Sequence, residues 1–76
     1  MVNNMVDYKK LNPILDICEQ VIKEDGCIDF SQIEEIIVEH LGISYEEMIE
    51  NNYITDIEIM LCYDGYEQDF ENGIFW

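Results

Sequence analysis

The apolar positions of this chain fall into two different periods. Ile14, Ile17, Cys18, Val21 and Ile22 stand at i, i+3, i+4, i+7 and i+8, the stripe of an amphipathic helix. Asn12-Pro13 predicts its start, since Asn accepts a capping hydrogen bond and Pro suits the first helical position, whose N–H has no partner anyway. Asp25-Gly26 predicts its end, with Gly26 free to take the left-handed cap. Residues 1–11 show no such stripe and read as a flexible N-terminal arm to a single small domain over residues 12–76.

Cys27 to Phe30 is too short for a helix and reads as a brief strand. Ser31-Gln32-Ile33-Glu34 has the form of a capping box, and Ile33, Ile36, Ile37, His40 and Leu41 repeat the helical stripe until Gly42. Ser44-Tyr45-Glu46-Glu47 is a second box, with Ile43 and Met48 placed as a hydrophobic staple, so a third helix is expected up to about Asn51-Asn52.

Beyond Asn52 the two periods compete. Thr55-Asp56-Ile57-Glu58 offers a further capping box, hence a helix. Tyr53, Thr55, Ile57, Ile59, Leu61 and Tyr63 instead alternate at period two in strand-prone residue types. Asp64-Gly65 and Asn72-Gly73 are hairpin-turn dipeptides. The favoured expectation is therefore an α+β domain, three helices followed by a C-terminal β-hairpin, with Ile74-Phe75-Trp76 as a further short strand. The alternative is an all-α chain of four short helices.

Charge changes the picture most. The 76 residues carry 18 Asp and Glu against three Lys and no Arg, a net charge of -15. A compact chain of this length is roughly 30 Å across. Duplex DNA of the same length carries about 17 phosphate charges. Direct binding to nucleic acid or to an anionic membrane is therefore not expected. The longest uncharged apolar run, Ile59 to Tyr63, is too short to span a bilayer, and Met1 to Lys10 has no apolar signal region, so a cytoplasmic location is expected. Cys18, Cys27 and Cys62 are odd in number and lack C-x-x-C spacing, so three reduced thiols are expected, Cys18 in the core.

The order helix, strand, helix, tight turn, helix, hairpin resembles a winged helix-turn-helix domain. The local resemblance lies in Ile37-Val38-Glu39-His40-Leu41-Gly42-Ile43-Ser44 followed by Tyr45 to Ile49: a buried helix, a Gly in the turn and a Ser capping the recognition helix. The resemblance implies that this third helix would enter the major groove. Here it carries Glu46, Glu47 and Glu50 and no basic residue, and the would-be wing carries Asp64, Glu67, Asp69 and Glu71. A surface of that sign repels phosphates. At the level of size and charge alone, the chain is similar to phage-encoded DNA mimics, including anti-restriction and anti-CRISPR proteins.

These features predict a non-enzymatic protein that binds a basic partner, a nucleic-acid-binding protein or nuclease, as a monomer or weak dimer. The candidate contact residues are Glu46, Glu47, Glu50, Asp64, Tyr66, Glu67, Asp69, Phe70 and Glu71, the aromatics serving as anchors within an acidic rim. No cofactor is expected. The spacing of Asp64, Glu67, Asp69 and Glu71 does not match a calcium loop, and His40, the single histidine, reads as a packed core residue. No phosphate-binding Gly loop is present, and nothing in the spacing of the cysteines relative to His40 marks a nucleophile and its base. The runner-up is a cytosolic protein-interaction or regulatory module on a winged-helix scaffold.

Overall fold

A computed structural model describes residues 8–76. The chain is mostly helical, with a small antiparallel sheet. The elements run α1 (Tyr8–Asp25), β1 (Ile28–Asp29), α2 (Phe30–Leu41), α3 (Tyr45–Glu50), α4 (Tyr53–Tyr63), β2 (Gln68–Asp69) and β3 (Ile74–Phe75). The sheet order is β1-β3-β2. The Cα radius of gyration is 11.9 Å.

Helix α1 begins four residues before the expected Asn12 cap. Tyr8 to Leu11 thus belong to the helix and not to an arm, while the rest of that expectation, residues 1–7, lies outside the described residues. Pro13 consequently sits inside the helix. Its missing N–H and ring cost about 3 kcal/mol. The added turn offsets this by enclosing Leu11 completely, worth about 1.5–3 kcal/mol. It also brings the Lys10 ammonium to the Tyr53 hydroxyl, donating at 2.8 Å. The ammonium is 5.2 Å from the Tyr53 ring centroid, displaced toward the hydroxyl, so the contact is a hydrogen bond more than a cation–π one. The inward row is Leu11, Ile14, Leu15, Cys18 and Ile22, which leaves Ile17 at the solvent edge.

Helix α2 is capped two residues earlier than expected. Asp29 Oδ1 accepts from the Gln32 N–H at 2.7 Å, and Gln32 Oε1 accepts from the Asp29 N–H at 3.0 Å, the reciprocal box that Ser31 and Glu34 were expected to make. The shift follows from the sheet: β1 pairs Ile28 with Phe75 and Asp29 with Ile74, and the helix must start at once to set Phe30 against Phe75. Those rings meet edge-to-face, centroids 5.6 Å apart at 81°. Gly42 ends α2 in the left-handed conformation, its N–H bonded to the Val38 carbonyl. His40 is exposed, contrary to the core position expected for it. The inward row of α2 is Ile33 and Ile37, and His40 lies to one side of it in the last turn.

Helix α3 starts at Ser44, whose Oγ accepts from the Glu47 N–H at 3.1 Å, and Met48 is buried beneath it. Asn52, in the left-handed region at φ 57°, then turns the chain into another helix, not a strand. This corrects the favoured expectation for Tyr53 to Tyr63. The apolar residues there satisfy both periods, and the tertiary surroundings choose. As α4 the segment packs on α1, α2 and α3 and buries Tyr53, Ile57, Met60 and Leu61. A strand would have paired its backbone but left those three helices uncovered. Asp64-Gly65 accordingly closes α4 and makes no hairpin turn. The hairpin lies further on, Gln68 opposite Phe75 and Asp69 opposite Ile74. Reciprocal bonds between the Glu67 and Trp76 backbones extend it by one pair. Phe75 is fully enclosed and closes the core at the sheet.

Candidate functional site

The charge is distributed unevenly. Residues 1–23 contain three acidic and three basic residues, so they are formally neutral. Residues 24–76 contain fifteen Asp and Glu and no Lys or Arg, so the whole net charge resides there. The core holds no charged or polar residue among those described. Each element after α1 that bears carboxylates therefore presents them at or near the surface, with no Lys or Arg of its own to neutralise them.

Glu46, Glu47 and Glu50 are all exposed on α3. Ser44 fixes the start of this helix and Met48 anchors it, so the three carboxylates stand on a held element. Glu46 and Glu50, four apart, form a like-charged pair that costs about 0.2–0.5 kcal/mol in an isolated helix.

The second candidate group lies on the α4–β2 connection and the hairpin, which the sheet joins to β1 and not to α3. Its members differ in what their side chains do. Asp69 builds the turn: Oδ1 accepts from the Glu71 and Asn72 N–H groups at 3.0 and 3.3 Å, and Oδ2 accepts from Asn72 Nδ2 at 2.7 Å. These bonds, the Asn72 side chain foremost, hold its carboxyl below the usual range. Glu67 and Glu71 are exposed, as is Phe70 at 80%. Tyr66 is half-buried and packs against the core, so it is no free anchor. Trp76 remains half-exposed.

Asp64 has a partner the sequence did not reveal. The Asp64 carboxylate, acting on Glu19 of α1 together with burial and the nearby Asp16 charge, pushes the Glu19 carboxyl up to about 7 despite the opposing pull of Lys23. When both groups are ionised neither can donate, and the enclosed Glu19 Oε2 then has no hydrogen-bond partner. Partial burial and the same two carboxylates raise the Tyr66 phenol.

Sequence reasoning also missed an apolar groove beside the hairpin. Glu58, Ile59, Cys62, Tyr63 and Gln68 line an open depression of about 370 Å³. Gln68 Nε2 donates to Glu58 Oε1 at 3.2 Å across it. Ile59 and Tyr63 are 40% and 81% exposed. Both belong to the period-two set that would have faced inward on a strand; in the helix they face solvent. The available signal was the surplus of apolar residues in 53–63 over what one helical face can bury. Comparison of the chain with protein-family models, with curated proteins and with solved structures finds no match.

Proposed function

We propose that this chain is a non-enzymatic inhibitor that occupies the nucleic-acid-binding site of another protein, as phage-encoded DNA mimics of the anti-CRISPR or anti-restriction kind do. One observation carries the reading: fifteen carboxylates and no Lys or Arg over residues 24–76, on a fold whose described core takes none of them in. An ordinary small surface mixes both signs. Carboxylates on α3 and the hairpin would pair with Lys and Arg of the target and speed encounter through the long-range field. On this reading the scaffold is a winged-helix relative with α4 added before the wing. The pairing of β1 with the last strand and the Gly42–Ser44 corner between α2 and α3 support it. The protein acts in the cytoplasm of the host cell.

A tagged pull-down from bacterial lysate, washed with duplex DNA or RNA and at low and high salt, tests the proposal. A partner released by nucleic acid and by salt supports mimicry. A partner retained through both washes removes competitive mimicry. It would favour the second reading, an interaction module anchored by exposed aromatic side chains, for which Tyr63, Phe70 and Trp76 are available. Reversing Glu46, Glu47 and Glu50 together to Lys should abolish inhibition without unfolding the protein, since all three are exposed.

A further inference from the structure

We infer that the groove between α4 and β2 is the specificity pocket of the acidic surface, and that it receives an apolar side chain flanked by Arg or Lys on a partner protein. The inference rests on the proposed reading that the partner is basic, and it names where that partner is told apart from other basic proteins.

The groove has the makings of an anchor site. Ile59, Cys62 and Tyr63 give it an apolar wall on a helix held by four buried residues, so the wall is preformed. At about 370 Å³ it lies near the small end of ligand-sized pockets, about 300–1,000 Å³, with room for a large side chain. Glu58 is its one charged lining residue, and the Gln68 amide orients that carboxylate. Tyr63 extends the apolar surface toward a neighbouring depression lined by Tyr8, Asn12, Leu15, Met60 and Asp64.

Charge selects the occupant. No Lys or Arg exists in residues 24–76 to neutralise Glu58 or its surroundings. A second copy of the chain would bring its own net charge of -15, and it would be repelled, as would an anionic lipid or nucleic acid. A cationic segment with an apolar centre satisfies both features: its Leu- or Phe-like side chain fills the groove, and its Arg or Lys meets Glu58. A purely charged surface would bind many basic proteins alike, whereas a shaped apolar pocket at its margin discriminates.

Cys62 lines the groove and its thiol is exposed, so it reports occupancy directly. The probe is a synthetic amphipathic helical peptide with Leu on one face and Arg on the other. The control is the same peptide with every Leu changed to Gln. Binding is followed by fluorescence anisotropy, and alkylation of Cys62 at saturating peptide by mass spectrometry. The Arg/Leu peptide should bind about tenfold tighter than the Arg/Gln peptide, the gain of one good anchor. At a concentration about ten times its Kd it should also slow Cys62 alkylation about tenfold, since the free fraction of the groove falls as 1/(1 + c/Kd), where c is the free peptide concentration. Ile59→Ser with Tyr63→Ser should erase the preference and leave Arg/Gln binding unchanged. Both side chains are exposed enough for the double variant to fold. Equal binding of the two peptides with Cys62 unprotected would overturn the pocket while leaving a basic partner for the acidic surface. Failure of both peptides to bind would overturn the pocket and the basic-partner reading together.

Discussion

Asp64 at the end of α4 is the foremost cause that the Glu19 carboxyl of α1 keeps its proton, and Glu19 Oε2 is enclosed with no hydrogen-bond partner. The folded state raises Glu19 to about 7, from an ordinary value of 4.5. The folded form therefore binds this proton more tightly than the unfolded form does. The stabilisation is fully present below the unfolded value and is lost as pH rises through about 7. Thermal stability should fall between pH 5 and pH 8, and Glu19→Gln, which keeps a donor in place permanently, should flatten that fall and raise the melting temperature at pH 8. Melting curves of both proteins across the range check it. An unchanged slope in the Gln variant would place the pH dependence in the general repulsion among the other carboxylates.

Gly73 should tolerate alanine worse than Gly42 does. Both adopt φ 65°, which strains alanine by roughly 1–2 kcal/mol. At Gly42 a Cβ would meet nothing within 4 Å, whereas at Gly73 it would stand 3.0 Å from Phe30 Cδ2. Phe30 is held there by its edge contact with Phe75 and by its N–H bond to the Gly73 carbonyl, so it has little room to yield. Gly73→Ala should cost about 1 kcal/mol or more beyond Gly42→Ala, a difference of the size found for overpacked sites. Chemical denaturation of the two variants gives the comparison.

The elements that could be read from the sequence were those whose signals were local. Gly42 and Ser44 mark a helix end and a helix start by their own backbone and side-chain chemistry, and both do so in the fold. What could not be read depended on distant partners. Asp29 became the cap of α2 because β3 fixes where β1 ends. Tyr53 to Tyr63 became α4 because three helices needed covering. The acidic candidates on α3 were legible as exposed carboxylates; the effect of Asp64 on Glu19, forty-five positions away in the chain, was not.

Leu11 decides whether the first turn of α1 contributes to stability. It is completely enclosed, in line with Ile14, Leu15 and Cys18. Leu11→Ala should cost about 2–5 kcal/mol, a large fraction of what a domain of this size possesses. Were this residue part of a solvated arm, the same change would be nearly neutral. The denaturation midpoint at constant slope distinguishes these outcomes.

The three thiols should separate cleanly by reactivity. Burial, then the Glu19 charge, pushes Cys18 up to about 12, so at neutral pH it is enclosed and protonated. Cys62 is exposed and Cys27 partly so. Iodoacetamide on the native protein should modify Cys62 first and Cys18 only under denaturing conditions, as peptide mapping over time would show. Early modification of Cys18 would mean that α1 opens readily from the core.

Glu50 offers a test of whether the acidic surface is retained for binding or for folding. It sits at the C-terminal end of α3, where the helix dipole disfavours a negative charge, and four residues after the like-charged Glu46. Glu50→Lys removes that repulsion, sets Glu and Lys in the favourable order along the helix, and complements the dipole. The gains add to roughly 0.5–1.5 kcal/mol at low salt and shrink as salt screens them. The variant should therefore melt higher than the natural protein at low ionic strength. It should also bind a basic partner more weakly, with a shallower salt dependence, because one carboxylate has become a cation. Higher stability together with weaker binding would mean that Glu50 serves the interface at the expense of the fold. Higher stability with unchanged binding would remove α3 from the contact surface and leave the groove beside the hairpin as the place to look.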